Sequence, residues 1–240
     1  MSYSVNQGQF IFDGVDSQDY GVYITGENAY NAAKKRDEEV VIPGRNGTLT
    51  YNDVDVFDDV ELVYPAFIPR NYTENIRGLR NALSSKHGKK RLTDSYHPDE
   101  YMLAKYVEGL EAETAPRAVA GAFDIIFKRD PRRFLLTGET VLTDPATVTN
   151  PTLFEARPLI RVYGYGTLTI GDMTVTVALS QYAYIDIDCE MMDCYHEDDN
   201  ANGYVSFSGG EFPTLPAGTT ALSYTNTITK VEVTPHWWRL

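Results

Sequence analysis

The chain has 240 residues, 42% hydrophobic and 23% charged, which is material for one large or two medium domains with real cores. Its net charge of −13 is uneven: residues 1–134 carry 17 Lys and Arg against 21 Asp and Glu, and residues 135–240 carry 4 against 13. That balance argues against a surface that grips nucleic acid, though not against one that DNA slides past. No apolar run is long enough to span a bilayer, and the opening MSYSVNQGQF has neither the basic nor the apolar part of a secretion signal. Cys189 and Cys194 are too few for a disulfide framework and read as reduced thiols.

Taken in order, Phe10-Ile11-Phe12 predicts a strand, Asp13-Gly14 a turn, and Tyr20 to Ile24 the returning strand. Gly26 to Glu39 is polar, with Lys34-Lys35-Arg36 followed by Asp37-Glu38-Glu39, and reads as a poorly ordered loop or arm. In Val40 to Asp53, β-branched Val40, Val41 and Ile42 form a strand that Pro43-Gly44 stops. Asn46-Gly47 is a hairpin signal, and Thr48 to Tyr51 resumes the strand. Arg45 sits at the tip. The tip is either an ordinary turn with a solvated arginine or a loop that presents Arg45 to a partner, and these residues alone do not choose. Val54, Val56, Val60, Leu62 and Val63 suggest further extended pairs.

Thr73 to His87 predicts the one helix, with Ile76, Leu79 and Leu83 on one face beside Ala82 and Gly88 as its stop; Lys86, His87, Lys89 and Lys90 suit a helix C-terminus. Strands follow at Arg91–Asp94, Tyr101–Val107 and Phe123–Phe127, with a turn at Tyr96–Asp99. Asp130-Pro131 ends the first domain, and Thr137 to Pro151, rich in Thr and Pro, reads as a linker. The rest is strand at regular spacing, which indicates a β-sandwich: Leu159–Val162, Thr167–Ile170, Met173–Leu179, Tyr184–Asp188, Tyr204–Phe207, Ala221–Tyr224 and Thr229–Val233. The fold class is therefore mainly β, a β-sandwich-like N-terminal domain with one α-helix (1–136), a linker (137–149), and a C-terminal β-sandwich (150–240).

Catalytic chemistry finds little support. Asp198, Asn200, Asn202 and Gly203 match half an EF-hand loop, but Gly209 stands where the bidentate Glu belongs; a looser surface calcium site stays open. Cys189, Cys194 and His196 fall one ligand short of a structural zinc site. Asp186, Asp188 and Glu190 alternate as paired carboxylates would, and a solvated strand face looks the same. The four histidines, His87, His97, His196 and His236, stand apart, and no nucleophile elbow, zincin, P-loop or dinucleotide motif occurs. The reading is no enzyme, no cofactor and no metal. Trp237-Trp238 either pack the terminal strand on the core or anchor a docking interface.

The order of these motifs resembles the distal tail proteins (Dit) of long, flexible-tailed bacteriophages. The resemblance rests on Phe10 to Gly14 with Ser17, Asp19 and Tyr20-Gly21-Val22, on Ile42 to Gly47, and on the helix ending at Gly88 with Leu92 and Asp94. It extends through Phe123 to Pro131, Asn150-Pro151, Pro158 to Ile160, Gly164 to Ile170, Ile185-Asp186, Phe212-Pro213-Leu215, Gly218 and Pro235-His236-Trp237. His236 departs from it, standing where a basic residue is expected.

The resemblance implies a structural, non-catalytic baseplate hub. Six N-terminal domains would ring a channel for DNA at the distal end of the tail tube, with DNA passing and not specifically bound. The C-terminal domains, galectin-like β-sandwiches, would point outward. The implied partners are itself, the tail tube protein, tail-tip and receptor-binding or other baseplate proteins, with no membrane insertion. The implied location is the virion tail tip after assembly in the host cytoplasm. The expected interface is Ile42, Pro43, Gly44, Arg45, Asn46 and Gly47, with Trp237 and Trp238 for partner docking. The competing reading from the galectin-like fold is a carbohydrate-binding module acting in host-surface recognition, and a carboxylate-dependent hydrolase comes third.

Overall fold

The structure, a computed structural model, describes residues 8–26, 31–51, 56–108, 120–225 and 227–240. Val54 and part of the polar segment before Val40 lie outside the described residues. The chain divides into two compact units, residues 1–133 with the terminal residue and residues 134–239.

In the first unit, period-two alternation decides which way each strand faces. β1 (Phe10–Phe12) turns Phe10 and Phe12 inward, and β2 (Val15–Asp16) returns beside it. The expected strand from Tyr20 is shorter. Ser17–Tyr20 is a 3-10 turn, because the Asp16 carboxylate accepts the Gln18 N–H and buried Ser17 Oγ accepts the Phe10 N–H. Only β3 (Tyr23–Ile24) is extended, and it pairs elsewhere. β4 (Glu38–Val41) and β5 (Thr48–Tyr51) form a separate hairpin. There follow β6 (Val60–Ile68), α1 (Tyr72–Ser84), β7 (Lys90–Asp94), β8 (Glu100–Glu108) and β9 (Gly121–Leu135).

The sheet runs β2-β1-β7-β8-β9-β6-β3, and a bridge between Gly8 and Ile24 joins its ends. β6 and β9 pair without a break from Val60–Arg129 to Ile68–Gly121. β9 is longer than the expected Phe123–Phe127 and runs on through Asp130-Pro131, where the first domain was expected to end. The Asp130 carboxylate accepts the Arg132 N–H, and the strand continues past the proline.

The helix starts at Tyr72 and buries Tyr72, Ile76, Leu79 and Leu83 in the core around Phe10, Phe12, Tyr64 and Phe127. It ends at Ser84, short of His87. The Lys86 ammonium donates to the Asp13 carbonyl and pairs with its carboxylate at 3.1 Å, so the basic end is tied to the β1 turn, and Gly88 lies in the bend before the next strand. Also inside is a polar cluster. Tyr64 Oη donates to Asp94 at 2.5 Å, and His97 Nδ1 donates to Asp94 at 3.0 Å. Burial raises the Asp94 carboxyl, but hydrogen bonds from His97 and Tyr64 outweigh it and hold the group below the ordinary carboxylate range. His97 thus has the partner that sequence spacing did not show.

The second unit is a two-sheet sandwich built from β10 (Leu142–Thr143), β11 (Thr147–Asn150), β12 (Leu159–Gly164), β13 (Gly166–Ile170), β14 (Met173–Val177), β15 (Tyr184–Asp188), β16 (Asp193–His196), β17 (Asp199–Asn200), β18 (Val205–Phe207), β19 (Gly218–Tyr224) and β20 (Ile228–Thr234), and β21 (Trp238–Arg239) pairs with β9. One sheet runs β10-β20-β12-β15-β16-β17 and the other β11-β19-β13-β14-β18. Ile160, Val162, Leu168, Val175, Ile185, Ile187 and Val231 fill the space between. The expected linker 137–149 is part of this sandwich. Leu142 pairs with Val233, Thr147–Asn150 pairs with residues 218–221, and Val148 is buried. Its Thr-rich composition suits edge strands as well as a linker, so composition misassigns it. Gly138 is buried against the Trp237 backbone, where a Cβ would stand 2.4 Å from nitrogen.

Tyr64→Phe is expected to cost about 1–2 kcal/mol and Asp94→Ala about 3 kcal/mol in urea unfolding, since each leaves buried polar groups unmatched. Because the folded Asp94 carboxyl titrates low, its contribution is complete above the ordinary value of about 3.9 and is lost as pH falls through the folded value. Asp94→Asn should flatten the loss of unfolding free energy below about pH 4.

Candidate functional site

The hairpin β4–β5 is the candidate interface. Val41 pairs with Thr48, so the loop is residues 42–47 and not a two-residue Asn-Gly turn. Pro43 and Gly44 take the two central positions of a type II turn in which the Arg45 N–H reaches the Ile42 carbonyl at 3.2 Å; Gly44, at φ 82°, supplies the left-handed residue that this turn requires. Arg45 is exposed, and its side chain makes no hydrogen bond or ion pair with the described residues. By alternation Val40, Ile42 and Leu49 share one face of the ribbon and are all exposed, and Val41 is 73% exposed on the other.

The root of this arm is anchored to the first unit. Lys35 bridges Phe57, with the Arg36 N–H on the Val56 carbonyl and the Asp58 N–H on the Lys34 carbonyl. Around it lie ion pairs Arg36–Asp58 at 2.9 Å, Lys89–Asp59 at 2.7 Å and Arg132–Asp130 at 2.9 Å. Burial raises the Asp130 carboxyl, and the Arg132 hydrogen bonds and Lys89 more than offset it. The exposed Arg36 pair contributes less than about 1 kcal/mol, so the backbone ladder holds the root.

The second candidate surface is the outer face of the β20-β12-β15-β16 sheet. Arg161 grips Asp186 with two bonds, 2.6 and 2.8 Å, and covers the Tyr184 ring at 4.2 Å. That fork raises the Arg161 guanidinium above its ordinary range. Lys230 lies 3.9 Å over Tyr163 and bonds Glu232 at 2.9 Å. These rings each have a face taken by the chain's own cation, so they do not offer that face as a stacking platform for a sugar. Asp186, Asp188 and Glu190 do not converge. Asp186 holds Arg161, Asp188 accepts the Glu190 and Met191 N–H groups, and Glu190 lies beyond the strand.

The remaining expected site residues are engaged locally. Trp237 is buried in the sandwich core, and its carbonyl accepts the Leu135 N–H, which corrects its assignment to partner docking. Trp238 stacks on Phe154 at 4.4 Å and donates to the Glu155 carbonyl. His196 packs between Tyr182 and Tyr184, and His236 Nδ1 lies 3.3 Å from the Arg157 carbonyl. Burial raises both thiols, Cys194 to about 12 and Cys189 further, so neither is a ready thiolate. In the acidic stretch, Asp193 accepts from Asn202 and Cys194, and Asn200 accepts the Asn202 N–H. Among the described residues no group of three His, Cys, Asp or Glu is arranged to hold a metal ion.

Solved structures share the fold of both units. The SPP1 Dit protein, described as a paradigm of the hub adsorption apparatus in phages infecting Gram-positive bacteria, matches with a TM-score of 0.70 at 15% identity, over 97% of this chain and 99% of that one. The chain has the Dit fold. A chain of the phage p2 baseplate, activated with strontium, matches the Dit fold of this protein at TM-score 0.53 and 11% identity, over 98% of each. One from that baseplate activated with calcium matches at 0.54 and 10%, over 94% of this chain and 96% of that one. No protein-family model matches the sequence, and no curated protein does.

Arg161→Ala should leave Asp186 buried without its fork and lower urea stability by about 2 kcal/mol; a change under about half a kcal/mol would make the pair a surface ornament.

Proposed function

We propose that this protein is a structural hub of a phage tail. It assembles through its first unit into a closed six-membered ring at the distal end of the tail tube and passes DNA through the channel without binding it. The observation that carries this is the whole-chain match to the SPP1 Dit hub protein, both units included. The arm supports the assembly part. A two-stranded ribbon is marginal by itself in water, and this one shows Val40, Ile42 and Leu49 on one face to solvent. Such a face calls for a partner. A ring supplies one, because a heterologous contact repeated by rotation gives every arm a neighbour. The second unit, with 4 basic and 13 acidic residues over 135–240, is the surface for the remaining baseplate components, in the virion. No catalysis is part of this function.

Light scattering of the pure protein at micromolar concentration and moderate salt should give a hexamer mass, and negative-stain images a ring with a hole. A monomer mass would count heavily against the ring. Arg45→Ala should leave the circular dichroism unchanged and weaken ring assembly or docking to the tube by about 2–5 kcal/mol of association per lost pair. Arg45→Lys should recover only part of it, because lysine lacks the planar fork. Full assembly and tail attachment in the alanine variant would leave residues 42–47 a plain turn. Glycan-array binding by the full chain would move the second unit toward sugar recognition.

A further inference from the structure

Arg129 stands where the strand pattern asks for an apolar side chain. β9 turns Phe123, Ile125 and Phe127 inward, and Arg129 is next in that alternation, fully buried and paired with Val60. A guanidinium out of water is costly unless its donors are matched. Nη1 donates to the Asp130 and Pro131 carbonyls, both at 2.9 Å, and Nη2 to the Asn31 carbonyl at 2.8 Å, while Nε has no partner. No carboxylate pairs with Arg129 among the described residues. Burial, with Arg133 nearby, lowers its guanidinium to about 10.

The arrangement is a poor way to stabilise a core, since a well-packed apolar side chain there would avoid the desolvation. Two of the three acceptors belong to the residues that follow Arg129 itself. The third is 98 residues away in sequence, at the near end of the arm. From Asn31 the chain runs to the Lys35–Phe57 bridge and on into β4. Two points define a direction, and the Asn31 bond and this bridge are two points at which the described arm is held.

We propose that Arg129 is a positioning residue for assembly: through the Asn31 carbonyl it sets the direction in which the arm leaves the first unit, so that Val40, Ile42, Leu49 and Arg45 meet the neighbouring copy. This rests on the ring reading above and adds a residue that touches no partner.

The test is Arg129→Met, which keeps length and apolar bulk and deletes all three bonds, with Arg129→Lys beside it. Ring dissociation is followed by mass photometry, and backbone amide exchange is followed at residues 32–36 and 56–58 against core residues 62–68 and 123–127. In Arg129→Met the ring should dissociate at a concentration at least tenfold higher. Exchange should quicken at the arm root, while the core amides and the urea midpoint stay at or above wild type. Arg129→Lys should fall between. Adding Lys35→Cys and Phe57→Cys to Arg129→Met staples the root by disulfide at a non-hydrogen-bonded pair; oxidation should restore the ring and reduction should dissolve it. Wild-type assembly in Arg129→Met overturns the proposal, and so does equal loss of protection in core and arm, or a staple that fails to rescue. If the wild-type protein proves monomeric, the ring reading fails by itself. The positioning of the arm by Arg129 then stands or falls on whether exchange at 32–36 and 56–58 quickens in Arg129→Met.

Discussion

A carboxylate taken out of water has to be matched by donors, and Asp94 collects them from Tyr64 Oη, His97 Nδ1 and the Tyr96 and His97 N–H groups. The first unit depends on that convergence. Tyr64 is on β6 and Asp94 ends β7, strands separated in the sheet by β8 and β9, so their bond spans the interior and does not run along a ladder. It also holds the turn that carries Tyr96, whose hydroxyl donates to the Ile24 carbonyl near the Gly8 bridge. The closure of the sheet and the placement of its buried polar groups are therefore one constraint.

With the core closed in this way, the arm has no room in it. Among the described residues β4 and β5 pair only with each other, and their apolar residues face water, while Phe10, Phe12, Leu62, Tyr64, Phe127 and the helix residues pack together in the core. In the proposed ring, stability and assembly would be divided between different parts of one unit: the core satisfies itself, and the ribbon would be covered by another chain. Arg129 lies at the meeting of the two, its charge held by main-chain carbonyls that no substitution elsewhere can remove.

The second unit divides its residues differently. Its interior is ordinary aliphatic packing, and its outer sheet face is a set of cross-strand pairs, Arg161 with Asp186 and Tyr184, Lys230 with Tyr163 and Glu232. Such a face resembles a ligand site in composition, with aromatic rings beside charges. The geometry shows the charges spent on one another. That distinction separates a braced strand face from a sugar site on the same fold, since function belongs to the site and not the fold.

Periodicity was enough to read the strands whose pattern is local. Phe10–Phe12, Thr48–Tyr51, Leu159 onward and the helix face of Ile76, Leu79 and Leu83 lie where the sequence puts them, because alternation and helical spacing are properties of neighbouring residues. The exposed tip at Arg45 was legible too, from Pro43-Gly44. Elements set by distant partners were not. Thr147–Asn150 reads as a linker until Gly218–Ala221 is beside it, and His97 looks solitary until Tyr64 meets Asp94. Arg129 left a faint sign, a charge in phase with Phe123, Ile125 and Phe127. Whether an in-phase arginine is a buried clamp or the fraying end of a strand depends on which carbonyls surround it. Those carbonyls come from the fold, because Asn31 is brought to Arg129 by the path of the whole chain and not by any pattern in the strand that carries it.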